Sequence, residues 1–150
     1  MKKFTLDLNE DDQRPIVILR RIIPLEAMLD TGAILPVWVS SPKLLKAIGG
    51  LFDRANVPFG GFGGITKGDL YLIPNFRVGE LVFPYMPIIL SPHNLPCKMI
   101  LSATMFNSMM YEIDNINHRL NVSVPDTESL IRNLKIEDKN GSIHIFCTSA

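Results

Sequence analysis

Residues 16–39 limit the fold more than any other part of the chain. Ile16-Val17-Ile18-Leu19 and Ile22-Ile23 are β-branched or bulky, and Pro24 stops any helix across them. Ile34-Leu35-Pro36-Val37-Trp38-Val39 repeats the pattern, again with a proline inside. Two strands are expected, and between them stands Ala27-Met28-Leu29-Asp30-Thr31-Gly32-Ala33. A hydrophobic run thus delivers one carboxylate into a tight turn. Gly32 and Ala33 leave room beside Asp30 for another group to approach, and Gly32 lets the backbone reverse. Alone, Asp-Thr-Gly fits an exposed hairpin turn equally well.

A second informative stretch is Val57-Pro58-Phe59-Gly60-Gly61-Phe62-Gly63-Gly64-Ile65-Thr66-Lys67. Glycines this dense suggest a phosphate cradle. A phosphate loop needs Gly-Lys-Ser/Thr opening a helix, whereas Lys67 precedes Gly68-Asp69 and the strand-like Leu70-Tyr71-Leu72-Ile73. These glycines therefore belong to the tip of a β-hairpin. Further strands are expected over Phe4–Leu8, Leu81-Val82-Phe83, Met86–Leu90, Lys98–Phe106, Tyr111–Asp114 and Arg119–Val124, with a last hairpin turning at Asn140-Gly141. Three short helices are expected. Ser41 caps the first, with Pro42 in its opening turn and Gly49 or Gly50 after it. A second spans Asn107–Met110, and a third runs from Asp126 to Leu134.

Composition narrows the function. Fifteen basic residues balance fifteen acidic ones, so no excess charge draws the chain to nucleic acid or an anionic membrane. Balanced charge permits self-association. Met1-Lys2-Lys3-Phe4 imitates the start of a signal peptide, but Thr5–Asp12 supplies no apolar core, and a cytoplasmic location is expected. Two cysteines make no disulfide framework. His93/Cys97 and His144/Cys147 have helical ligand spacing, but Ser142–Cys147 reads as a strand, where positions three apart face opposite ways, so no metal is expected. A phosphoryl-accepting role for Asp30 would need a magnesium-binding carboxylate cluster that the neighbouring residues lack.

Three pieces then stand in a familiar order. Met28-Leu29-Asp30-Thr31-Gly32-Ala33 resembles the catalytic loop of the retropepsin family, the single-domain aspartic proteases related to retroviral proteases. Phe59–Lys67 is similar to that family's flap. Ile100-Leu101-Ser102-Ala103-Thr104 resembles its hydrophobic-hydrophobic-Gly motif, with Ser102 in the glycine's place. Ile34 and Ala103 stand where viral members carry an Asp and an Arg that pair near the dimer interface. The likeness runs from about Ile16 to Leu120.

This resemblance implies a mainly β fold: one domain over 1–150, a small closed barrel with two or three short helices and a glycine-rich flap. Its core covers about 16–120, with a C-terminal extension over 121–150. It implies an aspartic endopeptidase acting on a peptide or protein substrate, without cofactor, metal, nucleic acid or membrane. Asp30, Thr31 and Gly32 take the catalytic positions. Ala33, Phe59, Gly60, Gly61, Phe62, Gly63, Gly64 and Ile100 take the substrate-binding ones. One Asp-Thr-Gly per chain implies a homodimer. The alternative is a peptide-binding or dimerisation domain of the same fold without turnover.

Overall fold

A computed structural model describes residues 1–19, 24–31, 37–61, 64–139 and 142–150. The elements run β1 (Lys2–Asp7), β2 (Ile16–Leu19), β3 (Leu25–Asp30), β4 (Val37–Val39), α1 (Pro42–Ala47), β5 (Leu51–Gly61), β6 (Gly64–Val78) and β7 (Leu81–Leu90). They continue with β8 (Met99–Ser102), a 3-10 turn (Ala103–Phe106), β9 (Met110–Asp114), β10 (Arg119–Val124), β11 (Arg132–Lys139) and β12 (Ser142–Ser149).

These strands form three open sheets rather than the expected closed barrel: β2-β3-β8-β4-β7-β6-β5, β1-β10-β9 and β11-β12. The local chemistry is plain. In β1, Phe4 and Leu6 are buried while Lys3, Thr5 and Asp7 face water, the period of a half-buried strand. All four residues of β8 are buried, as befits a strand with neighbours on both edges and cover on both faces. α1 starts where the Leu44 backbone N–H donates to Ser41 Oγ at 3.1 Å, and it is followed by Gly49 at φ +88°.

Several expectations are corrected. Pro84 and Pro87 do not split β7, which runs unbroken through ten residues. β4 pairs with β7 only over Ile88–Leu90, so both prolines lie where one edge of the strand has no β4 partner. The helix expected over Asn107–Met110 is instead a 3-10 turn a few residues earlier, started by Ser102, whose Oγ accepts from the Thr104 N–H at 3.1 Å. The helix expected from Asp126 to Leu134 is absent. Asp126 pairs with the chain's amino terminus at 2.8 Å, and Arg132 opens β11. Leu134 and Ile136 belong to a two-residue period directed at the core, which overrides the capping signal. β10 pairs with β1 along its whole length.

Arg132 is the unusual buried residue. Only 1% exposed, it reaches Glu128 Oε2 from Nη1 at 3.5 Å, and its Nε and Nη2 have no hydrogen-bond partner among the described residues. A charge held this way contributes little, so Arg132→Met should leave stability unchanged or raise it by up to about 2 kcal/mol in chemical denaturation. Gly68 is constrained oppositely. A Cβ there would lie 2.6 Å from the Leu90 carbonyl oxygen and 3.0 Å from the Phe59 ring. Gly68→Ala should cost roughly 1–3 kcal/mol in the same measurement, since backbone cannot yield cheaply.

Candidate active site

Asp30 is the last residue of β3 and is flanked on both sides. β8 runs parallel to β3 with Met28 beside Ile100, Leu29 beside Leu101 and Asp30 beside Ser102. β4 lies antiparallel on the other edge of β8, Trp38 beside Ile100. β2 covers the outer edge of β3, and the Leu29 N–H donates to the Pro15 carbonyl at 2.9 Å. Asp30 is half-buried and Thr31 exposed. The carboxylate thus stands at the end of a strand paired along its last three residues with the fully buried β8. Gly32 and Ala33, like Phe62 and Gly63, lie outside the described residues.

Beside Asp30 the segment before β2 is fastened by an ion pair. Arg14 Nη2 meets Asp12 Oδ2 at 2.9 Å, and Arg14 Nε and backbone N–H both donate to Asp12 Oδ1. The remaining Nη1 donates to the Pro96 carbonyl at 3.0 Å, which ties this segment to the loop that leads into β8. Cys97 follows directly. Its Sγ donates to the Met99 carbonyl at 3.2 Å, and burial raises its thiol pKa. The carboxylate of Asp30 and the guanidinium of Arg14 both act on that thiol, in opposite senses, so all three groups share one corner. Sequence reading passed over Arg14. Asp12-x-Arg14-Pro15 was the available signal, but its charges look like any solvated turn.

The β5–β6 hairpin stands over a different edge. β6 pairs with β7 only from Asp69 onward, while Val57–Gly61 and Gly64–Gly68 pair with each other beyond it. This overhang is an arm of about five residues per strand, or roughly 17 Å. At its root the register slips between Phe52 and Val57, Asn56 adopts φ +54°, and its N–H donates to Asp69 Oδ1 at 3.2 Å. Such a bulge bends and re-aims a hairpin. Gly60, Gly61 and Gly64 are in the arm, and Phe59 is 6% exposed, set edge-on against Trp38 with ring centroids 4.9 Å apart. Trp38 in turn neighbours Ile100, so the arm root, β4 and the Asp30 strand pair are linked side chain to side chain. Sequence reading did not single out Trp38 for this contact.

An open hollow of about 720 Å³ lies elsewhere, against Phe4, Tyr111 and Val122 of the three-stranded sheet, and does not include Asp30. Among the described residues no group of three or more His, Cys, Asp or Glu could hold a metal. Nor is any helix there long and apolar enough to cross a membrane.

Comparison with solved structures places this arrangement. The chain is similar to a retropepsin-like aspartic protease from Rickettsia conorii, with a TM-score of 0.51 over 82% of this chain and 91% of that one. Identity is 14%, so the likeness is one of fold. No family model matches the sequence, and no curated protein does. The chain is mainly β with a retropepsin-like relative in structure.

The ion pair generates a pH prediction. Hydrogen bonds from the Arg14 side chain and backbone hold the Asp12 carboxyl at about 2, below its ordinary 3.8. A carboxyl depressed in the folded state stabilises above its unfolded value and loses that effect as pH falls through the folded one. The melting temperature of Asp12→Asn should therefore lie below that of the native chain by a constant margin above pH 4. The two should converge as pH approaches 2.

Proposed function

We propose that the chain is an aspartic endopeptidase that works as a homodimer, with the two Asp30 carboxylates facing each other across a two-fold axis. The observation that carries this reading is the position of Asp30. It ends a strand that runs in register with Ile100-Leu101-Ser102 and shares its sheet with a glycine-rich arm, in a chain of retropepsin-like fold.

Peptide hydrolysis by this route needs a base and an acid within one hydrogen bond of the same water. Two like carboxyls so close cannot both ionise easily, so one stays protonated and the other basic, and the apparent pKa values belong to the pair. The ionised member takes a proton from water as the water attacks the scissile carbonyl carbon. The neutral member donates to the carbonyl oxygen. One chain supplies one such acid, and an isologous dimer supplies two. Thr31 would fasten the two turns to each other, and Gly32 would meet the substrate backbone.

The arm is the flap in this reading. A peptide lying extended beneath it would gain main-chain hydrogen bonds along its length, and closure would exclude water from the reacting centre. Ala33, Ile100, Phe59 and Phe62 would make the subsites apolar, favouring hydrophobic residues on either side of the cleaved bond.

Digestion of a mixed peptide pool at acid and neutral pH tests the proposal. The native chain should cleave, and Asp30→Asn should lose at least about 10³-fold in rate. Co-refolding native and Asp30→Asn chains should give inactive heterodimers, so activity should fall faster than the fraction of native chain. Ser102, fully buried and bonded to Thr104 where the family carries glycine, favours a second reading: a peptide-binding domain without turnover. Binding of peptides with no cleavage would support that reading instead. Cleavage that survives Asp30→Asn would overturn the assignment of Asp30.

A further inference from the structure

The C-terminal hairpin β11–β12 lies beyond the part of the chain that resembles the proteases, and the proposed chemistry gives it no task. Its strands pair with Leu134 opposite Cys147 and Ile136 opposite Ile145. In an antiparallel ladder these four side chains share one face. They do not share one neighbourhood. Leu134 and Cys147 pack against the main core, which holds the body of the seven-stranded sheet. Ile136 and Ile145 pack instead against a separate cluster formed by Val57 and Phe59 of the arm, Leu70, Ile89 and Trp38.

The hairpin is fixed at one end and touches the arm at the other. At the fixed end the Val82 N–H donates to the Leu130 carbonyl at 2.9 Å, Ile131 bridges to Val82, and the Ala150 N–H donates to the Ile131 carbonyl at 3.0 Å. Cys147 Sγ reaches the Met105 carbonyl at 3.8 Å, just past the end of β8. From Arg132 to Ile136 is about 14 Å of extended strand. A paired, core-anchored hairpin therefore carries two isoleucines from the body of the sheet to the root of the arm. There they face the same small cluster as Phe59 and Trp38.

We propose that β11–β12 is a brace that sets the position of the glycine arm, with Ile136 and Ile145 as positioning residues for it. The arm's own strands cannot hold it, because beyond Asp69 they pair only with each other. What fixes its angle is apolar contact at the root, and Ile136 and Ile145 of the brace supply part of that contact. The consequence for substrate rests on the endopeptidase reading: an unbraced arm grips a peptide less well, so affinity suffers more than turnover. The positional claim itself does not need that reading.

Trp38 is the chain's single tryptophan, so its fluorescence reports on this cluster directly. The test uses the full chain carrying Ile136→Ala and Ile145→Ala together. Ile136→Val with Ile145→Val is the conservative pair, and Thr148→Ala, on the hairpin's exposed outer side, is the control. The alanine pair should raise acrylamide quenching of Trp38 at least twofold and speed amide exchange in Val57–Gly61 and Gly64–Gly68 about tenfold. Amides of β3 and β8 should keep their protection. The valine pair should restore most of both, and Thr148→Ala should match the native chain. Where the native chain cleaves peptides, the alanine pair should raise KM about fivefold with kcat within a factor of two.

Unchanged quenching and arm exchange in the alanine pair would overturn the brace. So would equal loss of protection across β3, β8 and the arm, because that is general destabilisation. If the alanine pair does not fold, Ile145→Ala alone decides, since arm exchange must still rise while β8 exchange does not. A native chain that cleaves nothing would count against the endopeptidase reading and leave the fluorescence and exchange outcomes decisive for the brace.

Discussion

The insertion of β8 between β3 and β4 is the constraint on which the other features depend. β8 has only four residues, too few to hold a position through side-chain burial alone. It hydrogen-bonds on both edges, parallel to β3 and antiparallel to β4, and every one of its side chains is buried. Removing it would leave β4, three residues long, with no neighbour on that edge. It would also leave Asp30 at the end of a strand paired on one side only. The backbone of β3 is therefore held by main-chain hydrogen bonds to β2 and β8.

Fixing a carboxylate so firmly also fixes what surrounds it. Arg14 shares the Cys97 corner with Asp30, and Asp12 and the Pro96 carbonyl occupy its guanidinium. Its charge is largely answered locally, and it links the segment ahead of β2 to the loop ahead of β8. The same corner holds the Cys97 thiol, raised in pKa by burial and so kept in its unreactive protonated form at neutral pH.

How much of this the sequence disclosed depends on the range of the forces involved. The extended character of the residues ahead of Asp30 was legible because β-branched runs with internal prolines exclude a helix, but the one strand expected over Ile16–Glu26 is two antiparallel strands, β2 and β3. The arm was legible because its glycines fail the requirements of a phosphate loop. α1 announced itself through Ser41, Pro42 and Gly49, all local signals. What the sequence concealed was decided at a distance. Asp126 looked like a helix cap until the chain's own amino terminus claimed it, and Arg132, which looks like a surface residue, is buried under a hairpin. Pro84 and Pro87 looked like breaks because nothing local says that β4 covers only the last three residues of β7. The contact of Phe59 with Trp38, and the brace behind it, joins residues from four strands and has no signature shorter than the fold itself.

The division of apolar side chains into two clusters carries a last implication. Had Val57, Phe59, Leu70 and Ile89 merged with the main core, the arm would open only at the cost of disturbing the whole sheet. Held apart, they form a local unit whose stability can differ from the global one, as lids and binding arms require. Gly68 lets the arm root pack this closely, since any side chain there would push Phe59 and the Leu90 backbone apart. The sheet thus joins two parts of different kinds: β3, ending at Asp30 and paired by main-chain hydrogen bonds with β2 and β8, and an arm whose contacts beyond its own pairing are apolar.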